Sequence, residues 1–223
     1  MNIIEPSAQL YTESHPYKKI EKIGRTCYKS EDKITDTSCY KFVSNMIEHK
    51  HYAMLEHAWF HFRLSNLQPS LYNFLNVSAL VLTEDPVTIG DYILTVSMSH
   101  LVNPRWTKLR DLFSELLRVV DSLYSDGVVV PDYSAKNITR SHSNYGSIRC
   151  GIQYIDESIL YDVLNHDDTL YMMHKHMTFK FVCDRGITHE LVRHRMSFAQ
   201  ESQRYVNYGK EKFGASINVC KPS

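Results

Sequence analysis

The chain has 223 residues, enough to bury a sizeable core as one large domain or as a domain with an appendage. Apolar residues make up 43% and charged residues 22%, a globular balance that excludes a disordered chain. Twenty-five basic side chains offset 25 acidic ones, so bulk charge excludes a nonspecific binder of nucleic acid or of a membrane surface. Five cysteines, Cys27, Cys39, Cys150, Cys183 and Cys220, are odd in number and form no CxxC, which fits a reduced cytoplasmic setting. The first residues, MNIIEPSAQLYTESH, have no cationic start followed by an apolar core, and no stretch approaches about 18 uncharged apolar residues. A soluble, unexported protein is expected.

Residues 3 to 10 read as a short strand, ended by Glu13, Ser14, His15 and Pro16. Ile20, Ile23 and Cys27 have helical spacing, with Gly24 hinting at close packing. Asp36 and Thr37 are cap candidates for a second helix, in which Cys39, Phe42, Val43, Met46 and Ile47 follow the i, i+3, i+4, i+7, i+8 rule. That helix is expected to end near Lys50. Ala58, Phe60, Phe62 and Leu64 then alternate with Trp59, His61 and Arg63, the period of a half-buried strand.

Farther on, Tyr92 to Met98 reads as a strand. Leu109, Leu112, Phe113, Leu116, Leu117, Val120 and Leu123 predict an amphipathic helix stopped at Gly127. Residues 134 to 150 are polar and aperiodic, a loop by composition, and Ile159, Leu160, Val163 and Leu164 predict another short helix. Met173, Met177, Phe179, Phe181 and Cys183 alternate with His174, His176, Thr178, Lys180 and Val182, which predicts a strand over 176–183. These elements suit an α+β fold, an antiparallel sheet with helices against one face.

The densest chemistry lies in Gly186 to Tyr208, GITHELVRHRMSFAQESQRYVNY. A helix capped by Thr188 would carry Leu191 and Val192 inward before Arg193, His194 and Arg195. Three consecutive helix positions fan about 100° apart, so at least one guanidinium would face the protein or a ligand. Ser197, Phe198, Gln200, Glu201, Ser202, Gln203, Arg204 and Tyr205 follow without period. Hydroxyls, amides and a guanidinium fork grouped this way suit a planar heterocycle and a phosphate.

This stretch resembles the signature of the flavin-dependent thymidylate synthases, an RHR triplet, seven residues, then Ser, any residue and Arg. Arg193, His194, Arg195, Ser202 and Arg204 take those places, with six residues instead of seven between Arg195 and Ser202. The flanking words HELVRHR and SFAQESQRYVNY are similar too, as is RTCYKSE at Arg25 to Glu31, where the Cys27 position lies near the flavin in the family. The residues alone allow a buried thiol at a packed helix end as readily.

The resemblance implies reductive methylation of dUMP to dTMP, with methylenetetrahydrofolate as carbon donor and FAD reduced by NADPH as hydride source. It implies a homotetramer with shared active sites. Cofactor contacts would fall on His51, Ala53, Arg193, His194, Arg195 and Gln200. Ala53 stands where the family usually has Ser or Thr, and Glu56 takes a supporting position. Substrate contacts would fall on Glu190, Arg193, Gln200, Glu201, Ser202, Gln203 and Arg204. The family's pyrimidine-activating Arg belongs to a C-terminal portion that the sequence is expected to lack, so no catalytic residue is assigned. Residues 1–223 would form one catalytic-type domain, with 65–168 as a helical insertion within it.

Two other classes share some of these residue types. HELVRH superficially resembles the zinc motif HExxH, but His189 and His194 lie five apart, about 140° around a helix, and cannot share a face. His57 and His61 are four apart in a predicted strand, too extended to chelate, so no metal site is assigned. The alternative to an enzyme is a flavin- or nucleotide-binding homologue, inactive alone or needing a second chain.

Overall fold

The structure, a computed structural model, describes residues 2–76, 80–103, 105, 107–124, 150–194, 196–201, 210–211 and 217–221. Packing divides the chain into two units, Met1–Val43 with Met177–Ser223, and Ser44–His176. No helix among the described residues is long and apolar enough to cross a membrane.

In the first unit the predicted single strand is two, β1 (Asn2–Ile4) and β2 (Ser7–Leu10), parted by Glu5 and Pro6. Proline cannot donate to a ladder, so the strand breaks there. Helix α1 (Pro16–Thr26) has proline at its start, buries Tyr17, Ile20 and Ile23, and ends at Cys27. Helix α2 (Ser38–Glu48) begins one residue past the expected caps. Thr35 and Ser38 hold its start by exchanging side-chain bonds to each other's backbone N–H at 2.8 and 3.2 Å, in place of Asp36 and Thr37. Cys39, Tyr40 and Val43 are buried on it, as the spacing requires.

Buried Glu21 fastens this unit. Its carboxylate accepts from Arg25 Nε at 2.7 Å and from Ser38 Oγ at 2.8 Å, tying α1 to the start of α2. Strand β7 (Phe179–Val182) pairs antiparallel with β2, and β8 (Asn218–Cys220) pairs parallel with β1. The predicted strand over 176–183 is thus shorter, and Met173 lies in a helix instead.

The second unit holds a four-stranded antiparallel sheet in the order β4 (Val81–Glu84), β5 (Tyr92–Ser97), β3 (Trp59–Ser65), β6 (Gly151–Ile155). Residues 65–168 therefore supply three of its strands and are mixed, which corrects the helical reading. Helices α4 (Pro69–Asn76) and α5 (Met98–Val102) precede the predicted long helix, α6 (Arg110–Tyr124), which follows a 3-10 turn at Thr107–Leu109. Gly127 and the loop over 134–149 lie outside the described residues.

Helices cover both faces of this sheet. On one face Phe60, Phe62 and Leu64 are buried, and the Phe60 ring sits 6.4 Å from Tyr124 at the end of α6. On the other, Ile93 and Ile155 pack with Leu160 of α7 (Leu160–Val163) and with Leu164, while α8 (Asp168–His174) brings Leu170 and Tyr171 against them. The expectation of helices on one face fails because β3 and β5 bury side chains on both. Alternation in β3 concealed this, since the intervening face carries polar types, including His61 at 3% exposure.

Candidate functional site

Helix α9 (Arg185–Leu191) leads into the RHR triplet. Its N-cap is Asp184, whose Oδ1 accepts from Gly186 N at 2.7 Å and Ile187 N at 3.2 Å. Thr188, expected as the cap, lies inside the helix with its hydroxyl donating to Arg185 O at 3.0 Å. Asp184 outcompetes it by sitting directly after a strand, where a carboxylate meets the first free N–H groups and the helix dipole together.

This earlier start moves the end as well. Val192 is the C-cap, so Arg193 and His194 occupy the turn beyond the helix, and the fan of three helical positions does not form. Arg193 Nη1 donates to Glu190 Oε2 at 2.9 Å, with the two side chains 72% and 67% exposed. His194 is exposed too, whereas Ser197, Phe198, Ala199 and Glu201 are half-buried and Gln200 is exposed. Arg195, Ser202, Gln203 and Arg204 lie outside the described residues.

The first unit brings two of the sequence's family-like words together. The backbone of Gln200 hydrogen-bonds the Cys27 sulfur, and Lys29 Nζ lies 3.8 Å from Glu201 Oε1. Segments 25–31 and 197–201, read separately along the chain, are therefore neighbours. Burial pushes the Cys27 thiol up, the Gln200 and Cys27 backbone contacts oppose that in part, and Glu31 adds to the rise. Cys27 stays a protonated thiol at neutral pH, a packing and contact group and not a nucleophile.

In the second unit His51 is the N-cap residue of α3 (Tyr52–Leu55), with no side-chain capping bond. Its ring is exposed, 6.2 Å from that of His49, and Ala53 is exposed one residue into the helix. Glu56, the C-cap, is half-buried. His57 is buried in the turn before β3, so it shares no strand with His61.

A polar chain runs across one face of this unit's sheet. His61 Nδ1 lies 2.7 Å from Thr95 Oγ1, which lies 2.7 Å from His174 Nδ1; His174 Nε2 lies 2.8 Å from Thr83 Oγ1. Thr95 and His174 are fully buried and His61 nearly so. A hydroxyl has one proton, so Thr95 donates to one imidazole and accepts from the other, and the tautomers of the two histidines are linked. Burial holds His61 down to about 3, helped by the neighbouring charges of His174 and His176 and opposed by Asp156. Burial, with His176, holds His174 at about 4. Both are neutral imidazoles at physiological pH. Next along the chain, His176 stacks on Trp59 with ring centroids 3.6 Å apart and planes 13° from parallel.

The only sequence signal for this chain was His61 and Arg63 on the face of β3 opposite Phe60 and Phe62. Arg63 likewise finds a partner: its Nε donates at 2.5 Å to Asp85, which also accepts from the backbone of Val87 and Thr88. Among the described residues, no three His, Cys, Asp or Glu side chains are grouped to hold a metal ion.

A family model described as thymidylate synthase complementing protein matches residues 128–222, the part that contains α9, the RHR triplet and the polar segment after it. No curated protein and no solved structure matches the chain. Residues 128–222 are thus similar to the thymidylate synthase complementing protein family.

Proposed function

We propose that the chain carries out the reductive methylation of dUMP to dTMP, in the cytoplasm and as a homotetramer with shared active sites. Methylenetetrahydrofolate is the carbon donor. When bound, FAD reduced by NADPH supplies hydride. The observation that carries the reading is the apposition of segments 25–31 and 197–201 through Cys27 with Gln200 and Lys29 with Glu201, the second of which lies within the family match.

The residues present fit such a cofactor and substrate. Arg193 is exposed and, among the described residues, paired at the surface with Glu190, so an anionic group can take the place of that carboxylate. Cys27, kept protonated, contributes bulk and no competing nucleophile. On this reading Arg193, His194, Arg195 and Gln200 contact FAD, and the resemblance gives His51 and the backbone of Ala53 the same role. Glu190, Arg193, Gln200, Glu201, Ser202, Gln203 and Arg204 hold the nucleotide. Carbon C5 of uracil is a poor nucleophile and gains electron density when charge developing on the ring amide is stabilised; fixed guanidiniums and amide donors do this without reorienting. Residues 65–168 are an insertion relative to compact family members.

Exposure of Arg193 and His194 also favours a second reading, a flavin- or nucleotide-binding chain whose site is completed only by another chain. Tritium release from C5-labelled dUMP separates the two. An active enzyme releases tritium only when FAD, NADPH and the folate are all present. Flavin uptake without release supports the second reading, and neither uptake nor release refutes both.

A further inference from the structure

Two thiols with no part in the proposed chemistry lie on the strand ends that flank one bend of the first unit. β1 pairs in parallel with β8, setting Ile4 opposite Cys220, and β2 pairs antiparallel with β7, setting Ser7 opposite Val182. Glu5 and Pro6 join β1 to β2. Strand β8 therefore runs along β1 towards the bend, β7 runs along β2 towards it from the other side, and their C-terminal ends converge there. Extended by one residue, the β2–β7 register sets Cys183 opposite Pro6, two positions from the partner of Cys220. Lys221 holds the end of β8 at the bend, its N–H donating to Ile4 O at 2.9 Å and its Nζ lying 3.4 Å from Glu5.

Both cysteines are free and half-buried. They are also within electrostatic reach of one another: burial first, then Asp184, then Cys220 push the Cys183 thiol up. We propose that Cys183 and Cys220 are a redox pair, joined as a disulfide by a peroxide oxidant and open as two thiols under reducing conditions.

The chemistry balances with hydrogen peroxide as the co-reactant. The Cys220 sulfur attacks one peroxide oxygen, the O–O bond breaks, and one water leaves, giving a sulfenic acid. The Cys183 sulfur then attacks that sulfur, the S–O bond breaks, and a second water leaves with the remaining thiol proton. Two thiols lose two electrons, the peroxide gains them, and the products are one disulfide and two waters. Cys183 suits the second step, since a neutral sulfenic acid at Cys220 no longer opposes its ionisation.

The consequence reaches the signature. Cys183 immediately precedes Asp184, the cap of α9, and the bond would close a loop whose ends are 37 positions apart and which contains all of residues 186–208. Cross-linking removes unfolded conformations of the enclosed chain and so restrains the segment that carries Arg193 and Glu201. In a reducing compartment such a bond is transient and reports oxidant.

The test uses the whole reduced chain, hydrogen peroxide, thiol titration and mass mapping under non-reducing conditions. The proposal expects titratable thiols to fall from five to three, the intact mass to fall by two hydrogens, and one linked peptide pair joining Cys183 to Cys220, all reversed by a dithiol reductant. C183S and C220S should each keep all four remaining thiols free of disulfide. Retention of five thiols at a dose that oxidises glutathione overturns the proposal. So does a bond to Cys27, Cys39 or Cys150, an intermolecular dimer, or separate sulfinic acids at the two positions. Mapping of the unsubstituted chain decides the matter even if a serine variant fails to fold.

Discussion

Lowering the pH from 7.5 to 5 should destabilise the second unit by about 4 kcal/mol, and His61 and His174 set that figure. Unfolded, each imidazole titrates near 6.5; folded, burial holds them at about 3 and about 4. Their folded values are depressed, so the stability they contribute is fully present above 6.5 and is lost as pH falls towards 4 and 3. At pH 5 an unfolded imidazole favours its proton by a factor of about 30, or about 2 kcal/mol, and the folded one gains almost nothing. The two together give about 4 kcal/mol, with a slope near 2.7 kcal/mol per pH unit around pH 5. The groups facing them are His176, which opposes protonation, and Asp156, which favours it at His61. Half-buried His100, also lowered by burial, adds in the same direction. Asp85 and Asp156 have lowered values below 3.8, so their contribution persists at pH 5 and is lost only in stronger acid. Urea unfolding followed by tryptophan fluorescence reads this unit through Trp59. Each of His61→Gln and His174→Gln should remove about half the slope. A loss under about 1 kcal/mol between pH 7.5 and 5, or a slope untouched by either variant, would refute neutral buried imidazoles.

Three further outcomes follow from the same packing. Thr95→Val keeps the shape of the buried side chain but strips the shared hydroxyl from both imidazoles, and should lower unfolding stability by about 2–4 kcal/mol; a change under about 0.5 kcal/mol in urea melts would show that the chain contributes nothing. Glu21→Ala leaves Arg25 and the Ser38 hydroxyl without their carboxylate at a buried site, so the first unit should lose about 3 kcal/mol. Hydrogen exchange of α1 amides would read that loss, and unchanged protection would refute the clamp. Cys27 should react with iodoacetamide more slowly than an exposed peptide thiol at pH 7.5, in line with its raised titration point; equal rates would contradict it.

Local pattern made α2 and β3 legible, because Cys39, Val43 and Ile47, and Phe60, Phe62 and Leu64, repeat at the periods their elements impose. The same reasoning missed the start of α9, since two cap-competent residues, Asp184 and Thr188, lie within one turn and periodicity alone cannot choose between them. It misread Met173, whose alternation with His174 continues that of the following strand, although the residue belongs to α8. Sheet order lay beyond it altogether. Pairing β3 with β5 and β6 is decided by contacts between residues such as His61 and Thr95, 34 positions apart. Of the candidate site, the residue types and their order were readable; the meeting of Cys27 with Gln200 needed the chain folded.

Arg193 offers the sharpest separation of structural from functional roles. A side chain that supports the fold is buried or multiply bonded, yet this one is 72% exposed and bonded to a carboxylate that is itself 67% exposed. Such surface pairs contribute between zero and about 1 kcal/mol, because water solvates both partners nearly as well as they solvate each other. Arg193→Ala should therefore leave unfolding stability within about 0.5 kcal/mol. The same weakness would make the guanidinium easy to recruit: on the proposed function, an arriving phosphate would displace Glu190 at little cost and gain a charge-assisted bond worth roughly 1.5–3 kcal/mol. The variant should accordingly weaken FAD or nucleotide uptake by about tenfold or more, read by flavin absorption after gel filtration and by nucleotide titration. If both uptakes survive unchanged while stability falls, Arg193 is a fold residue and its assignment to the ligand site is wrong.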